Sequence, residues 1–449
     1  MFIGWWCSLG TLPAYKFFDR IGMDRLLVWL TFLWVGYFFS LSSCQNGAGA
    51  KELEQVRDSV DTLCAGPDTV RVHLMAVGDL MAHRWQMERA YNRKDSTFDF
   101  SCAFASVKPH FDQSDYLVGN LETTFAGRNK GRAKATFGYS CFPFFNAPEA
   151  FGSELKEVGF DLLSTINNHS LDSRVSGLRS TLDWLDSLGV KAVGTASMGE
   201  EKGRSAVVDV KGVKLGFYAF TMSLNGFTLP DSLAYSVNMI PKIDNKNMAR
   251  LRSDISDLKK QGTDAVVVIV HFGTEYQRKP NKEQRDMVDS LFAYGVDVVL
   301  GSHPHILQEM ETRVVVREDS VPHQCVAFYS LGNFISCQRW KPTHNLSKDL
   351  GVIADIELQK IDGFTQVNSV TCKPTYTYWH THCIGVVPVF DALADSLLYS
   401  TMNDYDRKRL HFAVDEVPGF LFPKEMTVDT LDNGYLIDLK KQSRAEIKN

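Results

Sequence analysis

From residue 70 onward the chain alternates short apolar runs, dense in Val, Ile, Leu and Phe, with longer stretches whose apolar positions recur every three or four residues. The runs at 70–77, 116–118, 162–166, 213–220, 265–270, 296–300, 326–329 and 352–358 show little polar alternation, as strands covered on both faces require. Between them, Val175, Leu178, Leu182, Leu185 and Leu188 form one helical stripe, and Met248, Leu251, Ile255 and Leu258 form a second. Val288, Leu291 and Phe292 mark a third, and Gly189, Gly262 and Gly295 supply the stops. Strand and helix in series predict an α/β layered fold, without internal repeats or low-complexity segments.

The polar residues fall where these strands end. Asp79 follows the first strand; Asn120 and Glu122 follow the second; Asn167, Asn168 and His169 follow the third. His271 and Glu275 come after "AVVVIV", His303 and His305 after "DVVLGS", and Asn333 after "FYSLG". In α/β sheets the carboxyl ends of strands are where ligands sit, so six such endings in succession predict one convergent site. Asp, Glu, Asn and His in mixture, without cysteine, make a ligand set for Mn, Fe or Zn, large enough for two ions. Asp79 or Glu122 would bridge the pair, which would activate water and stabilise charge on a phosphoryl or carbonyl oxygen. Alternation puts His303 and His305 on one side of an extended segment, with Pro304 restricting both. His83, four residues past Asp79, reads equally as a further ligand or as a hydrogen-bonding residue of the first loop. Glu275 and Tyr276 either line substrate or cap the segment around Pro280. Asp172 reads as the cap of a helix starting near Arg174, and Asn333 as a residue that supports a ligand or shapes its loop. His73, His110, His323, His344 and His411 read as ordinary satisfied histidines, as do His380 and His382, which lack a neighbouring carboxylate.

Composition narrows the setting. A formal net charge of −5 over 449 residues leaves no basic footprint, which argues against a nucleic-acid partner. Nine cysteines include no CxxC pair; once Cys7 and Cys44 are set aside they read as scattered thiols, with a Cys372–Cys383 pair as the alternative in an oxidising compartment. Asp24 and Arg25 precede a long apolar run that ends in Leu41-Ser42-Ser43-Cys44, which resembles a lipoprotein box with Cys44 as the lipidated residue. The alternative is an uncleaved transmembrane anchor; either way the remainder is exported and tethered to a membrane. Met23 reads as the true start, which makes 1–22 a start-site artefact. The expected organisation is a signal segment at 1–44, a tether at 45–69, the main domain at 70–390, and a helical extension with a charged tail at 391–449.

Six ordered blocks, "VGDLM", "GNLETTFAG", "NNHSLDSRVSGLRSTLDWLDSLGVKAVGT", "VVIVHFGTEYQRKPNKEQ", "GVDVVLGSHPHILQ" and "FYSLGNFI", resemble those of the CapA family of capsule-synthesis proteins associated with poly-γ-glutamate. The resemblance implies a four-layered α/β sandwich similar to the calcineurin-like metallo-dependent phosphatases, with a metal centre at the strand ends. By that likeness, Asp79 is a ligand of the first metal block and Glu122 stands in the bridging position. Asn168 is a further ligand, His169 the general acid or transition-state stabiliser, and His271, His303 and His305 the imidazole ligands. The chain departs from the pattern in having no D-x-H at its first block and a glutamate where an aspartate is usual.

Two functional classes follow. One is an exported, metal-dependent hydrolase or transferase acting on an anionic polymer or a phosphoester. The other is a non-catalytic polymer-binding or export component of envelope polymer assembly. Other capsule-synthesis proteins are the expected partners of either.

Overall fold

The protein is described here as a computed structural model covering residues 69–197, 204–317, 320–339 and 347–446. The expected signal segment, Cys44, the tether and His344 lie outside the described residues.

The chain builds one sheet, leaves it to build a second, and returns to the first. Strands β1 (Thr69–Leu80), β2 (Tyr116–Leu121), β3 (Leu162–Ser164) and β4 (Lys191–Val193) lie side by side in parallel. Strands β5 (Ser205–Val210), β6 (Val213–Thr221), β7 (Ala265–His271), β8 (Val298–Ser302), β9 (Met310–Val316) and β10 (Pro322–Phe328) form the second sheet, in the order β9-β10-β8-β7-β6-β5. Its four central strands are parallel, and antiparallel β5 and β9 close its edges. The short β11 (Asn333–Ile335) then pairs with the end of β1. The long hairpin of β12 (Leu350–Ile361) and β13 (Phe364–Trp379) extends the first sheet, followed by β14 (Ile384–Pro388), β15 (Asp429–Leu431) and β16 (Gly434–Asp438).

Period-two alternation sorts the apolar residues into layers. Along β1, Val72, Leu74 and Ala76 enter the core between the sheets, while Met75 and Val77 join the outer cluster. Along β7, Val267 and Ile269 face inward, and Val266, Val268 and Val270 face the opposite helices. The outer face of the first sheet is covered partly by α2 (Glu149–Glu157), through Phe151 and Leu155, and by Leu185 of α3 (Arg174–Ser187). The outer face of the second sheet is covered by α4 (Asn245–Lys260) and α5 (Lys282–Ala293). Helix, sheet, sheet, helix is the expected four-layered α/β sandwich. All eight expected strands are present, and the buried residues of α4 are its expected stripe, Met248, Leu251, Ile255 and Leu258. Gly262, at φ +79°, ends that helix in the left-handed conformation glycine adopts without cost.

Beyond residue 390 the segment expected to be helical does hold the long helix α6 (Asp404–Leu421), whose Leu410, Ala413 and Val417 join the inner core. It also contributes β16, which pairs with β13 and so widens the main sheet. The cysteines differ from both expectations. Cys102 is disulfide-bonded to Cys383, 281 residues away, and Cys372 is a buried free thiol on β13. Alternation explains the latter: Cys372 points into the core between the sheets and cannot reach Cys383 at the edge.

Candidate metal centre

The parallel strands of both sheets bring their carboxyl ends to one place. Asp79 stands in register with Asn120 across β2 and with Asn333 across β11, while His271 is in register with Ser302 across β8. Gly78 permits this convergence: a Cβ there would meet the Gly332 carbonyl oxygen at 1.9 Å, so any larger residue would push β1 away from the turn that presents Asn333.

Two three-residue groups result. Asp79, Glu122 and His305 form one, and Glu122, His271 and His303 the other; within each, the potential ligand atoms lie within 4.8 Å of one another. Glu122 belongs to both, and its Oε1 is 3.6 Å from His271 Nε2 and 3.7 Å from His305 Nε2. Asn168 Oδ1 is 3.0 Å from His271 Nε2 and so joins the second group. His305 Nδ1 lies 3.0 Å from Asp79 Oδ2 and 3.1 Å from Asn333 Oδ1, which joins the first.

The surroundings hold these groups in place. Asn120 donates to Asp79 Oδ1 at 2.8 Å and in turn accepts from Asn167 Nδ2 at 3.2 Å. Ser302 Oγ sits 2.9 Å from His271 Nδ1, which leaves Nε2 facing Glu122 and Asn168. Asp79 and Glu122 are fully buried, and among the described residues Glu122 Oε1 and His303 Nδ1 have no hydrogen-bond partner. Burial, with the Asp79 carboxylate alongside, pushes the Glu122 carboxyl well above its usual range. Burial and the adjacent imidazoles of His303 and His305 press His271 well below its own. Two buried carboxylates repel, and clustered imidazoles resist protonation, so a bound cation would relieve both pressures. The donor set and the two unpartnered ligand atoms therefore fit one or two divalent ions.

His303 and His305 reach the site differently from the expected extended segment. Their φ angles are +96° and +56°, so the chain bends sharply on both sides of Pro304. Such backbone is rare for side-chain-bearing residues and persists only where the surroundings enforce it. His303 packs against His271 with ring centroids 4.6 Å apart.

His83 takes the hydrogen-bonding alternative. It precedes α1 (Arg84–Ala90), and the Cys337 backbone N–H donates to its Nδ1 at 3.2 Å. A neutral ring accepting at Nδ1 carries its proton on Nε2, so that nitrogen is a donor and not a lone pair for a metal. Burial and the neighbouring His305 and His169 hold the ring neutral, with a pKa of about 3.

Asp172 does not cap α3, whose preceding residue is Ser173. Its Oδ2 lies 2.7 Å from His169 Nδ1 and accepts the Phe145 N–H at 2.6 Å. The signal was the three-residue spacing within "HSLD", which also suits a cap. Glu275 is exposed on the loop after β7, outside both groups, and it is Asn281 that caps α5. The histidines read as ordinary are partnered: His73 with Asp355, His110 with Asp391, His323 with Arg317 and His411 with Tyr399.

Three known proteins show the likeness. Capsule biosynthesis protein CapA of Bacillus anthracis is 28% identical over 275 residues, 61% of this chain and 62% of that protein. PGA biosynthesis protein CapA of Bacillus subtilis is 30% identical over 275 residues, 60% of this chain and 64% of that protein. The match thus spans less than two thirds of either relative. Among solved structures, the calcineurin-like phosphoesterase YfkN of Bacillus subtilis aligns with 68% of this chain and 90% of its own, at 15% identity and a TM-score of 0.38. The family model for the bacterial capsule synthesis protein PGA_cap matches residues 73–338, which hold every candidate site residue described above, and the chain belongs to that family.

Proposed function

We propose that this protein is an exported, membrane-tethered, metal-dependent hydrolase or transferase of capsule or poly-γ-glutamate synthesis, acting on an anionic polymer or a phosphoester. The observation that carries the reading is the shared Glu122: one buried carboxylate between two imidazole-bearing groups, with an oxygen that accepts no hydrogen bond from the described residues. Asp79, Glu122, His305 and Asn333 would hold one ion, and Glu122, Asn168, His271 and His303 the other. Bound divalent ions supply Lewis-acid polarisation of a phosphoryl or carbonyl oxygen.

The chain's own residues do the rest. Asp172 keeps the proton of His169 on Nδ1 and fixes the ring, so Nε2 can pass a proton to or from the reacting oxygen. The Phe145 ring meets His169 edge-on at 4.8 Å and shields one side of it from water. His83 offers an Nε2–H to an anionic oxygen between His169 and His305. The Cys102–Cys383 disulfide supports maturation in an oxidising compartment, as expected of an exported protein anchored through a lipid at Cys44.

Metal analysis of the purified protein tests the reading. We expect one or two divalent ions per chain, lost in Glu122→Gln, and turnover of a γ-glutamyl polymer or of bis(4-nitrophenyl) phosphate that stops when the ions are removed. A protein that retains no ion and gains no thermal stability from Mn²⁺ or Zn²⁺ would overturn it. Metal and polymer binding without turnover of either would identify a non-catalytic assembly component instead.

A further inference from the structure

Arg132 lies on the loop between β2 and α2, and its guanidinium is clasped by two aromatic rings from separate segments. The guanidinium carbon is 4.4 Å from the centre of the Phe144 ring and 4.8 Å from that of Phe227, which follows β6. The two rings also contact each other, with centroids 6.1 Å apart, so they meet the guanidinium from adjacent directions and hold it without using any of its N–H donors. Arg132 makes no hydrogen bond or ion pair among the described residues and is exposed. Other exposed arginines of the chain are paired: Arg84 with Glu88, Arg285 with Glu309, Arg313 with Asp289 and Glu311.

The position of the clasp matters as much as its free donors. Phe145, next to Phe144, donates its N–H to Asp172 and packs against His169. Arg132 therefore shares its loop with the residue that holds both Asp172 and the proposed proton carrier, and its charge is among those that act on Asp172. Elsewhere at the site the Lys348 ammonium lies 4.8 Å from the centre of the Tyr276 ring, which also packs near His305. Arg132 through Phe144 and its neighbour Phe145, and Lys348 through Tyr276, are thus each linked to a histidine of the site, His169 and His305.

We propose that Arg132 is a specificity residue, a preorganised receptor for an oxyanion that the substrate carries beside the bond presented to His169. A rigid fork with unused donors binds a carboxylate or phosphate bidentately without first breaking an internal ion pair or ordering a flexible side chain. The proposal rests on the reading of the site given above and adds the substrate feature that the site selects. A repeating polyanion meets this demand, since each bond in it is flanked by a further charge.

Calorimetric titration of the metal-loaded protein tests this with two probes, a γ-glutamyl oligomer for carboxylate and a glycerol-phosphate oligomer for phosphate. Arg132→Gln should weaken whichever oligomer is the true ligand type by about tenfold or more, as expected for lost charge-assisted hydrogen bonds. Arg132→Lys should recover only part of that loss, because a lysine keeps the charge but not the fork. Metal content and melting temperature should match those of the wild type, which separates lost recognition from lost folding. Unchanged affinity for both oligomers, or failure of the wild type to bind either, would overturn the proposal. A metal-free protein that still binds an oligomer through Arg132 would instead sink the hydrolase reading and leave this one standing.

Discussion

His169 Nδ1 lies 2.7 Å from Asp172 Oδ2 within a single loop, and the same carboxylate oxygen takes the Phe145 N–H. A buried carboxylate with these two partners fixes both the tautomer and the direction of the ring. Asp172→Asn keeps the shape but removes the charge that stabilises a protonated His169. We expect turnover to fall by about 10²–10⁴-fold, the range for a lost general acid–base partner. Metal content should stay at the wild-type level, because Asp172 is in neither ligand group. Loss of metal together with activity would show that Asp172 acts in some other way.

His83 tests the tautomer argument. With Nδ1 engaged by the Cys337 N–H, the ring has no lone pair at Nε2 to give to an ion. His83→Ala should therefore retain its metal, whereas His303→Ala with His305→Ala should lose it. If turnover can be measured, His83→Ala should raise KM or lower kcat by roughly tenfold, the effect of one hydrogen-bond donor to an anionic group. A substoichiometric metal content in His83→Ala alone would make His83 a ligand.

What the sequence could and could not reveal divides along physical lines. The convergence of the candidate ligand residues is legible because each follows an apolar strand, and parallel strands deliver their ends to one edge. The helix stripes were legible because burial follows a period of 3.6. The Cys102–Cys383 bond was not, since its partners lie 281 residues apart and only the paths of the strands bring them together. The backbone at His303 and His305 is not legible, because local rules around Pro304 favour extension and tertiary contacts override them. Strand β13 carries a weak signal: its run of Thr, Gln, Asn and Ser dilutes the apolar residues, yet Thr365, Thr375 and Thr377 are buried in the structure. Arg132 gave no sequence signal at all, because its two aromatic partners come from Phe144 and Phe227, on different loops.

The disulfide closes a very long loop, and closing it limits the freedom of the unfolded chain far more than that of the folded one. Reducing it, or replacing Cys102 and Cys383 with Ser, should cost about 2–4 kcal/mol of stability. A thermal melt with and without reductant checks this, and the double variant should no longer respond to reductant. An unchanged melting temperature on reduction would mean that the bond does not form in the purified protein.

The metal-stripped protein should lose stability in mild acid, and the sign follows from which state takes up protons. Burial and neighbouring imidazoles hold His303 at about 4 and His83 at about 3, both down from 6.5, and press His271 well below 6.5. Each depressed histidine contributes stability that is fully present above 6.5, its unfolded value, and is lost as pH falls, because the unfolded chain binds the proton that the native site refuses. Glu122 acts in the opposite sense. Its raised pKa lets the native state hold a proton that the unfolded state releases above about 4.5, so it favours folding as pH falls. Asp172, raised by its burial, acts in the same sense as Glu122, and three histidines against these two carboxylates leave a net loss between pH 6.5 and 4.5. Melting temperatures measured from pH 8 to 5 after chelation should therefore fall below about 6.5, and fall more steeply in Glu122→Gln, where one opposing group is gone. A melting temperature that is flat or rising across that interval would show that these imidazoles are already protonated in the folded protein, and that the cluster is not the neutral, cation-seeking site described here.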